Sequence, residues 1–192
     1  KRAMVHVAPP LDLPDADLPV DPYVLGLWLG GGTSKLAIIT AHDDDAPFLR
    51  SQIETAGYRT SDQATHFTFG ILGLHVKLRA LGVLGNKHVP AVYLRGSRAQ
   101  RLALLQGLID SDGYVSPRGH IEFCTTSPRL ATAVTELVRT LGVKTTCRES
   151  RATLYGKDCG PRWRLSFFMA DAARLPRTAD RGRTGTRNPN RA

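Results

Sequence analysis

Two apolar segments of the chain carry small residues at the same spacing, and this repeat restricts the fold more than any other feature. The segments read YVLGLWLGGGTS and LLQGLIDSDGYVS. When Gly113 is placed over Gly32, Gly107 falls over Gly26. Around both segments the predicted elements follow one order, a helix, two strands, a helix, two strands and a helix. The predicted strands include THFTFG, VKTTCRE and RWRLSFF, and a last short helix is expected from Ala170. The sequence therefore predicts an α+β domain whose two halves are related by pseudo-twofold symmetry.

The small residues predict a close contact between two helices. Glycine inside a helix costs roughly 0.5–1 kcal/mol relative to alanine, so its presence needs a compensating reason. Gly26 and Gly30 in the first helix, and Gly107 and Ser111 in the second, are spaced so that each pair lies on one helical face. Two such faces can pack backbone against backbone. The glycine that follows each segment is expected to end its helix, which brings both helix ends together.

An acidic residue stands at the end of the second helix, and its counterpart in the first helix is missing. Asp112 precedes Gly113, whereas Gly31 holds the equivalent place before Gly32. Two carboxylates at such a meeting point repel each other unless a cation lies between them, and hard cations such as Mg²⁺ prefer carboxylate oxygen. The pattern predicts a magnesium site at Asp112, with position 31 reduced to a backbone or water ligand.

Three other acids could substitute for the missing carboxylate. Asp43, Asp44 and Asp45 stand where the sequence predicts the start of a helix. Acids at that place cap helix amides and complement the helix dipole, so we interpret them as capping residues.

The balance of charge favours a polyanionic partner. The 192 residues include 26 Lys and Arg against 17 Asp and Glu, which gives a formal net charge of +9. Such an excess attracts nucleic acid. Three cysteines at irregular spacings predict neither a zinc ribbon nor a disulfide framework, and no apolar run reaches the roughly 20 residues of a membrane helix. We expect a cytoplasmic protein without membrane association.

Alternation along the predicted strands gives each sheet an apolar face and a polar face. In HIEFCT, Ile121 and Phe123 point one way while His120 and Glu122 point the other. The polar side is rich in Arg, Lys, His and Thr, which suits the DNA major groove, although a solvated face shows the same alternation. The candidate DNA-binding residues are Lys35, His66, Arg118, His120, Glu122, Lys144, Arg148, Arg162 and Arg164.

Both glycine-containing segments resemble the signature motif of the LAGLIDADG homing endonucleases that are embedded in inteins. The resemblance covers roughly residues 23–177, including LGVLGNKHVP before the second helix and YGKDCGPRWRLSFF after it. It implies a tandem αββαββα repeat, with a saddle of antiparallel strands over double-stranded DNA. It also implies a monomer with internal pseudo-twofold symmetry that cleaves both strands with magnesium.

The resemblance also assigns roles to individual residues. Asp112 matches one metal-binding aspartate of the family, and Gly31 takes the place of the other. Lys87, in GNKHVP, matches a basic residue that the family places beside the attacking water. The spacing does not determine its counterpart in the second half, for which Lys157 and Arg177 are the candidates.

The same reading divides the chain into four parts. Residues 1–22 form an extended proline-rich arm, 23–96 the first repeat, 97–178 the second repeat and 179–192 a basic flexible tail. In a full intein of this type a splicing domain flanks the endonuclease, and neither end of this chain matches that domain.

We therefore expect an intein-type, site-specific endonuclease domain that is impaired because Gly31 replaces an aspartate. Natural decay, an engineered change and strand nicking through Asp112 remain open explanations of that departure. Two other functions stay in view. One is a non-catalytic, sequence-specific DNA-binding protein, which the loss at position 31 favours, and the other is an RNA splicing maturase.

Overall fold

The computed structural model describes residues 7–169, which form helices and two antiparallel sheets. In chain order the helices are α1 (Pro22–Gly31), α2 (Ala46–Thr55), α3 (Leu74–Ala80), α4 (Ala91–Leu94), α5 (Arg98–Asp112) and α6 (Pro128–Thr140). The strands are β1 (Ile38–Thr40), β2 (Thr60–Asp62), β3 (Thr68–Ile71), β4 (Gly113–Val115), β5 (His120–Thr125), β6 (Thr145–Leu154) and β7 (Lys157–Phe168).

The strands pair as two separate sheets. The first has the order β1-β3-β2 and the second the order β4-β5-β7-β6, and every pairing is antiparallel. In the second sheet Gly113 of β4 pairs with Phe123 of β5, and in the first sheet an isolated bridge joins Gly32 to Ile39. The predicted α+β class with antiparallel sheets is confirmed, and the pseudo-twofold symmetry of its two halves stays a prediction.

The two glycine-containing helices begin at strong start signals. The Asp21 side chain accepts a hydrogen bond of 3.1 Å from the Val24 amide, and Pro22 fills the first position of α1. In α5, Ser97 and Gln100 form a capping box in which each side chain accepts from the other's backbone amide. Both helices therefore have a defined first residue.

The two helices, which we call the α1/α5 pair, pack with their backbones in contact. A Cβ atom added at Gly26 would lie 2.1 Å from the Leu104 carbonyl oxygen, and one added at Gly107 would lie 2.1 Å from the Tyr23 carbonyl oxygen. No side chain fits at either position. The predicted packing through glycine faces is confirmed, and it explains why the chain accepts the helical cost of these glycines.

The core surrounds the α1/α5 pair. Trp28, Leu104 and Leu108 are fully buried, and Phe48 packs against the core while partly buried. The Trp28 indole also donates a hydrogen bond of 2.8 Å to the Leu36 carbonyl. Among residues 7–169, no helix is long and apolar enough to cross a membrane.

Helices α2 and α6 end in the same way. Each is followed by a glycine with a left-handed backbone, Gly57 with φ of 86° and Gly142 with φ of 75°. The next amide bonds back to a carbonyl of the last helical turn, at 3.1 Å after Gly57 and at 3.3 Å after Gly142. Helices α2 and α6 therefore end at glycines with the same conformation and the same kind of hydrogen bond.

The N-terminal arm packs on the second half of the chain. Residues 7–21 contain no helix or strand, and the Leu11 amide donates to the Thr140 carbonyl at 2.9 Å. The fully buried Arg101 side chain donates to the carbonyls of Leu11, Thr140 and Gly96. One guanidinium group therefore joins the arm, the end of α6 and the start of α5.

Some predicted boundaries differ from the structure. The predicted strand THFTFG begins only at Thr68, because Phe67 adopts a left-handed backbone with φ of 61°. Strands β6 and β7 extend well beyond the predicted VKTTCRE and RWRLSFF, and β4 and α4 were not predicted. The predicted short helix from Ala170, Arg177 and the tail 179–192 lie outside the described residues.

Replacing Gly107 by alanine tests the contact within the α1/α5 pair. The added methyl group would overlap the Tyr23 carbonyl, so we expect the free energy of unfolding to fall by about 2–3 kcal/mol. Urea unfolding followed by circular dichroism measures the change. Thr132→Ala, on the exposed side of α6, is the control and should change stability by less than about 0.5 kcal/mol. Equal small effects of both substitutions would contradict the contact.

Candidate catalytic site and nucleic-acid interface

The C-terminal ends of α1 and α5 meet side by side. A Cβ atom at Gly30 would lie 2.0 Å from the Ser111 hydroxyl oxygen, and one at Gly31 would lie 3.1 Å from the Ser111 Cβ. Asp112 is the next residue and the last of α5, and it is half-buried. The fold thus brings position 31 next to the segment that carries Asp112.

The glycines that end these helices are needed for space. The backbone is extended at both, with φ of −80° at Gly32 and −95° at Gly113, so neither uses a left-handed conformation. A Cβ at Gly32 would lie 2.4 Å from Cδ1 of Trp28, and one at Gly113 would lie 2.7 Å from the Ile109 Cα. Both helices therefore end at the predicted glycines, and the chain turns there into the first strand position of each sheet.

The Lys87 side chain closes the end of α1. Its Nζ donates hydrogen bonds to the carbonyl oxygens of Trp28 at 3.0 Å, Leu29 at 3.0 Å and Gly32 at 2.5 Å. The same nitrogen lies 5.0 Å from the centre of the Trp28 ring. Three acceptors match the three N–H groups of an ammonium, and the last carbonyls of a helix carry its partial negative charge.

Two opposing effects set the charge of Lys87. Burial lowers the pKa of its side chain to about 8, and the nearby Asp112 carboxylate acts in the opposite direction. The group is therefore a cation at neutral pH. This cation binds the end of α1 and interacts electrostatically with the acid at the end of α5.

The donors at the helix ends suit one divalent cation better than two. Asp112 supplies a carboxylate, which Mg²⁺ prefers. At position 31 there is no carboxylate, and the neighbouring carbonyls already accept from the Lys87 ammonium. Within the described residues, no group of three or more His, Cys, Asp and Glu is placed to hold a metal ion.

The acids before α2 lie at one end of the first sheet. Asp45 occupies the N-cap position of α2, but its side chain makes no capping hydrogen bond, which differs from the predicted capping role. Asp44 lies 3.3 Å from the His42 ring, and Asp43 lies 4.0 Å from the His66 ring. Two of the three acids thus contact histidines near the same end of the sheet.

Lys157 does not lie at the ends of the α1/α5 pair. Gly113, which follows α5, pairs with Phe123, and Phe123 pairs with Leu165 of β7. Lys157 is eight residues further along β7, or roughly 26 Å at the usual rise of a strand. The second-half counterpart of Lys87 is therefore not Lys157.

The second sheet has a continuous polar face built from paired residues of three strands. Glu122 of β5 lies opposite Ser166 of β7, and Arg164 of β7 lies opposite Arg148 of β6. On the other face the side chains Ile121, Phe123, Leu165 and Phe167 are buried. The predicted alternation is confirmed in β5 and β7.

Ion pairs and hydrogen bonds order the long side chains on this face. Glu122 lies 3.9 Å from Arg164 and 3.9 Å from His120, and Arg162 donates from Nε to the Ser150 hydroxyl at 3.2 Å. Half-exposed pairs of this kind add little stability. The Arg164 side chain stays 42% exposed in this pair, so a partner can reach it.

The nine predicted DNA-binding residues fall into two groups. His120, Glu122, Arg148, Arg162 and Arg164 belong to the strands of the polar face. The others lie in connections: Lys35 between α1 and β1, His66 before β3, Arg118 between β4 and β5, and Lys144 before β6. His66 packs edge-on against Phe67, with ring centres 4.1 Å apart.

Sequence reasoning missed two exposed aromatic residues of the second sheet. Half-exposed Tyr114 lies opposite Glu122 on the polar face, and Tyr155 is 93% exposed at the turn between β6 and β7. The alternation of Gly113, Tyr114 and Val115 was a usable signal for Tyr114, whereas nothing local marks Tyr155. Ser111, which the sequence placed on the small-residue face of its helix, lies against position 31.

Known proteins share parts of this sequence. Residues 99–169 match the family described as the LAGLIDADG-like domain. The chain is also 44% identical over 148 residues to the replicative DNA helicase DnaB of Mycobacterium intracellulare. That match covers 77% of this chain and 23% of the helicase, so the chain spans about a quarter of that relative. Residues 99–169 therefore carry a LAGLIDADG-like domain, and this match supports the resemblance of the chain to the LAGLIDADG homing endonucleases.

The depressed pKa of Lys87 predicts a pH dependence of stability. Below pH 8 the lysine is protonated in both the folded and the unfolded chain. Between pH 8 and 10.5 the unfolded chain holds a proton that the folded chain has lost, so stability rises with pH. The slope is at most about 1.4 kcal/mol per pH unit.

Urea unfolding from pH 7 to 10 measures this slope, with Lys87→Met as the comparison. Other titrating groups contribute equally to both proteins, so the difference in unfolding free energy isolates Lys87. We expect the wild-type chain to gain stability relative to the variant above pH 8. Parallel curves throughout this range would show that the pKa of Lys87 is not depressed.

Proposed function

We propose that the chain is the endonuclease domain of an intein, which binds one long duplex as a monomer and cleaves it poorly. A domain inserted into a host protein should match only a fraction of a relative's length, and the match covers 23% of the helicase. The two glycine-containing segments, which resemble the signature motif of intein-embedded endonucleases, support the same conclusion. Its partners are duplex DNA and, in the full protein, a splicing domain in the cytoplasm.

One observation carries the proposal: two helix ends meet, and only one of them carries an acid. Gly31 and Ser111 come within van der Waals distance, next to Asp112, and the polar face of the second sheet begins directly after α5. A duplex lying on that face would pass its phosphates close to Asp112. Cleavage of both strands requires equivalent chemistry at both helix ends, and α1 lacks it.

The residues at the helix ends have separate roles in this proposal. Asp112 would hold Mg²⁺, which stabilises the charge of the displaced oxygen when bound. Lys87 stabilises negative charge on the phosphate through its own positive charge. Because its N–H groups are used by the carbonyls of α1, Lys87 acts from a fixed position and does not exchange protons with the substrate.

The polar face supplies the contacts to DNA. Arg148, Arg162 and Arg164 have the planar guanidinium group that binds guanine through two hydrogen bonds, and Glu122 can accept from cytosine. Exposed lysines and arginines in the connections suit phosphate contacts, which position the duplex without reading its sequence.

A second function has specific support from Lys87. Its ammonium occupies the α1 carbonyls, so the first half of the site is closed without any metal. A chain arranged in this way could serve as a non-catalytic DNA-binding protein. Nicking of a plasmid in the presence of Mg²⁺ would favour the endonuclease, and binding without nicking would favour the non-catalytic protein. Displacement of the bound duplex by structured RNA would contradict both functions.

Restoring the missing carboxylate is the sharpest test of the proposed site. We expect Gly31→Asp to raise the rate of plasmid cleavage by roughly 100-fold, with little change in affinity. The new Cβ would contact Ser111 at 3.1 Å, so Gly31→Asp combined with Ser111→Gly should be faster still. The substrate is a supercoiled plasmid that carries a duplex selected by the wild-type chain.

Gly31→Asn is the matched control, because it has the same shape and no ionised carboxylate. It should leave cleavage as slow as in the wild-type chain, while Asp112→Asn should abolish any nicking and retain binding. If the wild-type chain makes double-strand breaks as fast as the Gly31→Asp variant, the assignment of the site is wrong.

A further inference from the structure

We infer that the β6–β7 hairpin projects beyond its sheet and lengthens the contact with DNA by about six base pairs on one side only. The two halves of the target would then differ in length. This inference rests on the proposed function, because it concerns the same DNA-binding surface.

The two sheets differ strongly in the length of their last hairpin. In the first sheet β2 and β3 have three and four residues. In the second sheet β6 and β7 have ten and twelve residues. Both hairpins follow a helix that ends at a left-handed glycine, so they hold equivalent places in the chain. The extra length therefore belongs to one half alone.

The added residues extend past the rest of the sheet. Strand β5 pairs with β7 only from Trp163 to Phe168. From Lys157 to Arg162, β7 is paired with β6 alone. Six strand residues span roughly 20 Å, and this length corresponds to about six base pairs at 3.4 Å each. We call residues 150–162 the projecting hairpin.

The polar face continues onto the projecting hairpin. Arg148 faces Arg164 at its base, and Ser150 faces Arg162 one step further out. Beyond them the pairing shifts at a bulge between Arg151 and Thr153, which bends a hairpin and increases its twist. A bent, twisted ribbon can follow the groove of a duplex where a flat one would leave it.

The turn of the hairpin presents an aromatic and a basic side chain. Tyr155 is 93% exposed, with a left-handed backbone, and Gly156 beside it has φ of 77°. Two successive residues of this kind form the tight turn that matches strand twist. Tyr155 and exposed Lys157 are thereby held at the outermost point, where they can reach a base or a phosphate.

The hairpin is braced by contacts of its own. The Arg151 guanidinium contacts the Asp158 carboxylate across the strands, and this pair lowers the pKa of Asp158. Asp158 also accepts from the Gly160 amide at 2.9 Å. A braced hairpin loses less conformational freedom on binding than a loose loop of equal length.

Selection from a library of random 40-base-pair duplexes tests the inference. Three proteins are compared: the wild-type chain, a shortened variant in which residues 151–161 are replaced by Asn-Gly, and Arg139→Ala. The shortened variant closes a two-residue turn between the paired residues Ser150 and Arg162. The shortened variant has one positive charge fewer than the wild-type chain. Arg139→Ala also has one positive charge fewer, at an exposed position on α6 outside the hairpin, and so controls for the change in net charge.

We expect the wild-type chain to select a target that is about six base pairs longer on one side of its centre. The shortened variant should lose about five of those positions, whereas Arg139→Ala should keep them all. A target of equal halves, or one unchanged by shortening, would overturn the inference and leave the proposed function intact. Failure of the wild-type chain to select any duplex would instead refute the proposed function.

A hydroxyl-radical footprint of the wild-type chain on its selected duplex gives the same answer independently. If the shortened variant does not fold, as judged by circular dichroism, the footprint alone decides. Protection that extends about six base pairs further on one side supports the projecting hairpin, and symmetric protection contradicts it.

Discussion

The contact between the backbones of α1 and α5 is the constraint on which the rest of the structure depends. Gly26 and Gly107 leave no room for a side chain, so the two helix axes approach more closely than larger residues permit. Close axes bring both helix ends to one place. Each end turns directly into the first pairing position of a sheet, so the polar face of the second sheet starts beside Asp112. The position of the candidate site therefore follows from four small residues in two helices.

The same geometry explains how the chain tolerates the absence of an acid at position 31. In a symmetric site the negative ends of two helices and two carboxylates would converge, and cations would have to balance them. Here the end of α1 brings only carbonyls, and the Lys87 ammonium binds those of Trp28, Leu29 and Gly32. The first half of the site is thus balanced by the chain's own positive charge. The second half retains an acid next to that charge.

Much of this arrangement was predictable, because glycine in a helix is costly and has few explanations. The contact of the α1/α5 pair, the helix ends at Gly32 and Gly113, and the proximity of Gly31 to the Asp112 segment followed from the repeat alone. The alternation in β5 and β7 likewise identified the polar face. In each case a local periodicity carried the information.

The other features depend on geometry that no local pattern expresses. The three carbonyls that accept from Lys87 are distant from it in sequence, and only the path of the GNKHVP segment brings them together. The predicted length of β7 was too short because Gly160 and Pro161 disfavour strands. This part of β7 pairs with β6 on one side only, and such an edge position tolerates both residues. His66 was placed in a strand because the left-handed backbone of Phe67 leaves no clear sequence signal.

We propose that the paired helix ends form a metal site with one acid instead of two. Titration of Mn²⁺ into the wild-type chain on its selected duplex, followed by electron paramagnetic resonance, tests it most directly. The account predicts one tightly bound Mn²⁺ per complex, which is lost in Asp112→Asn and joined by a second in Gly31→Asp. Two tightly bound ions in the wild-type complex, or one that survives Asp112→Asn, would contradict it.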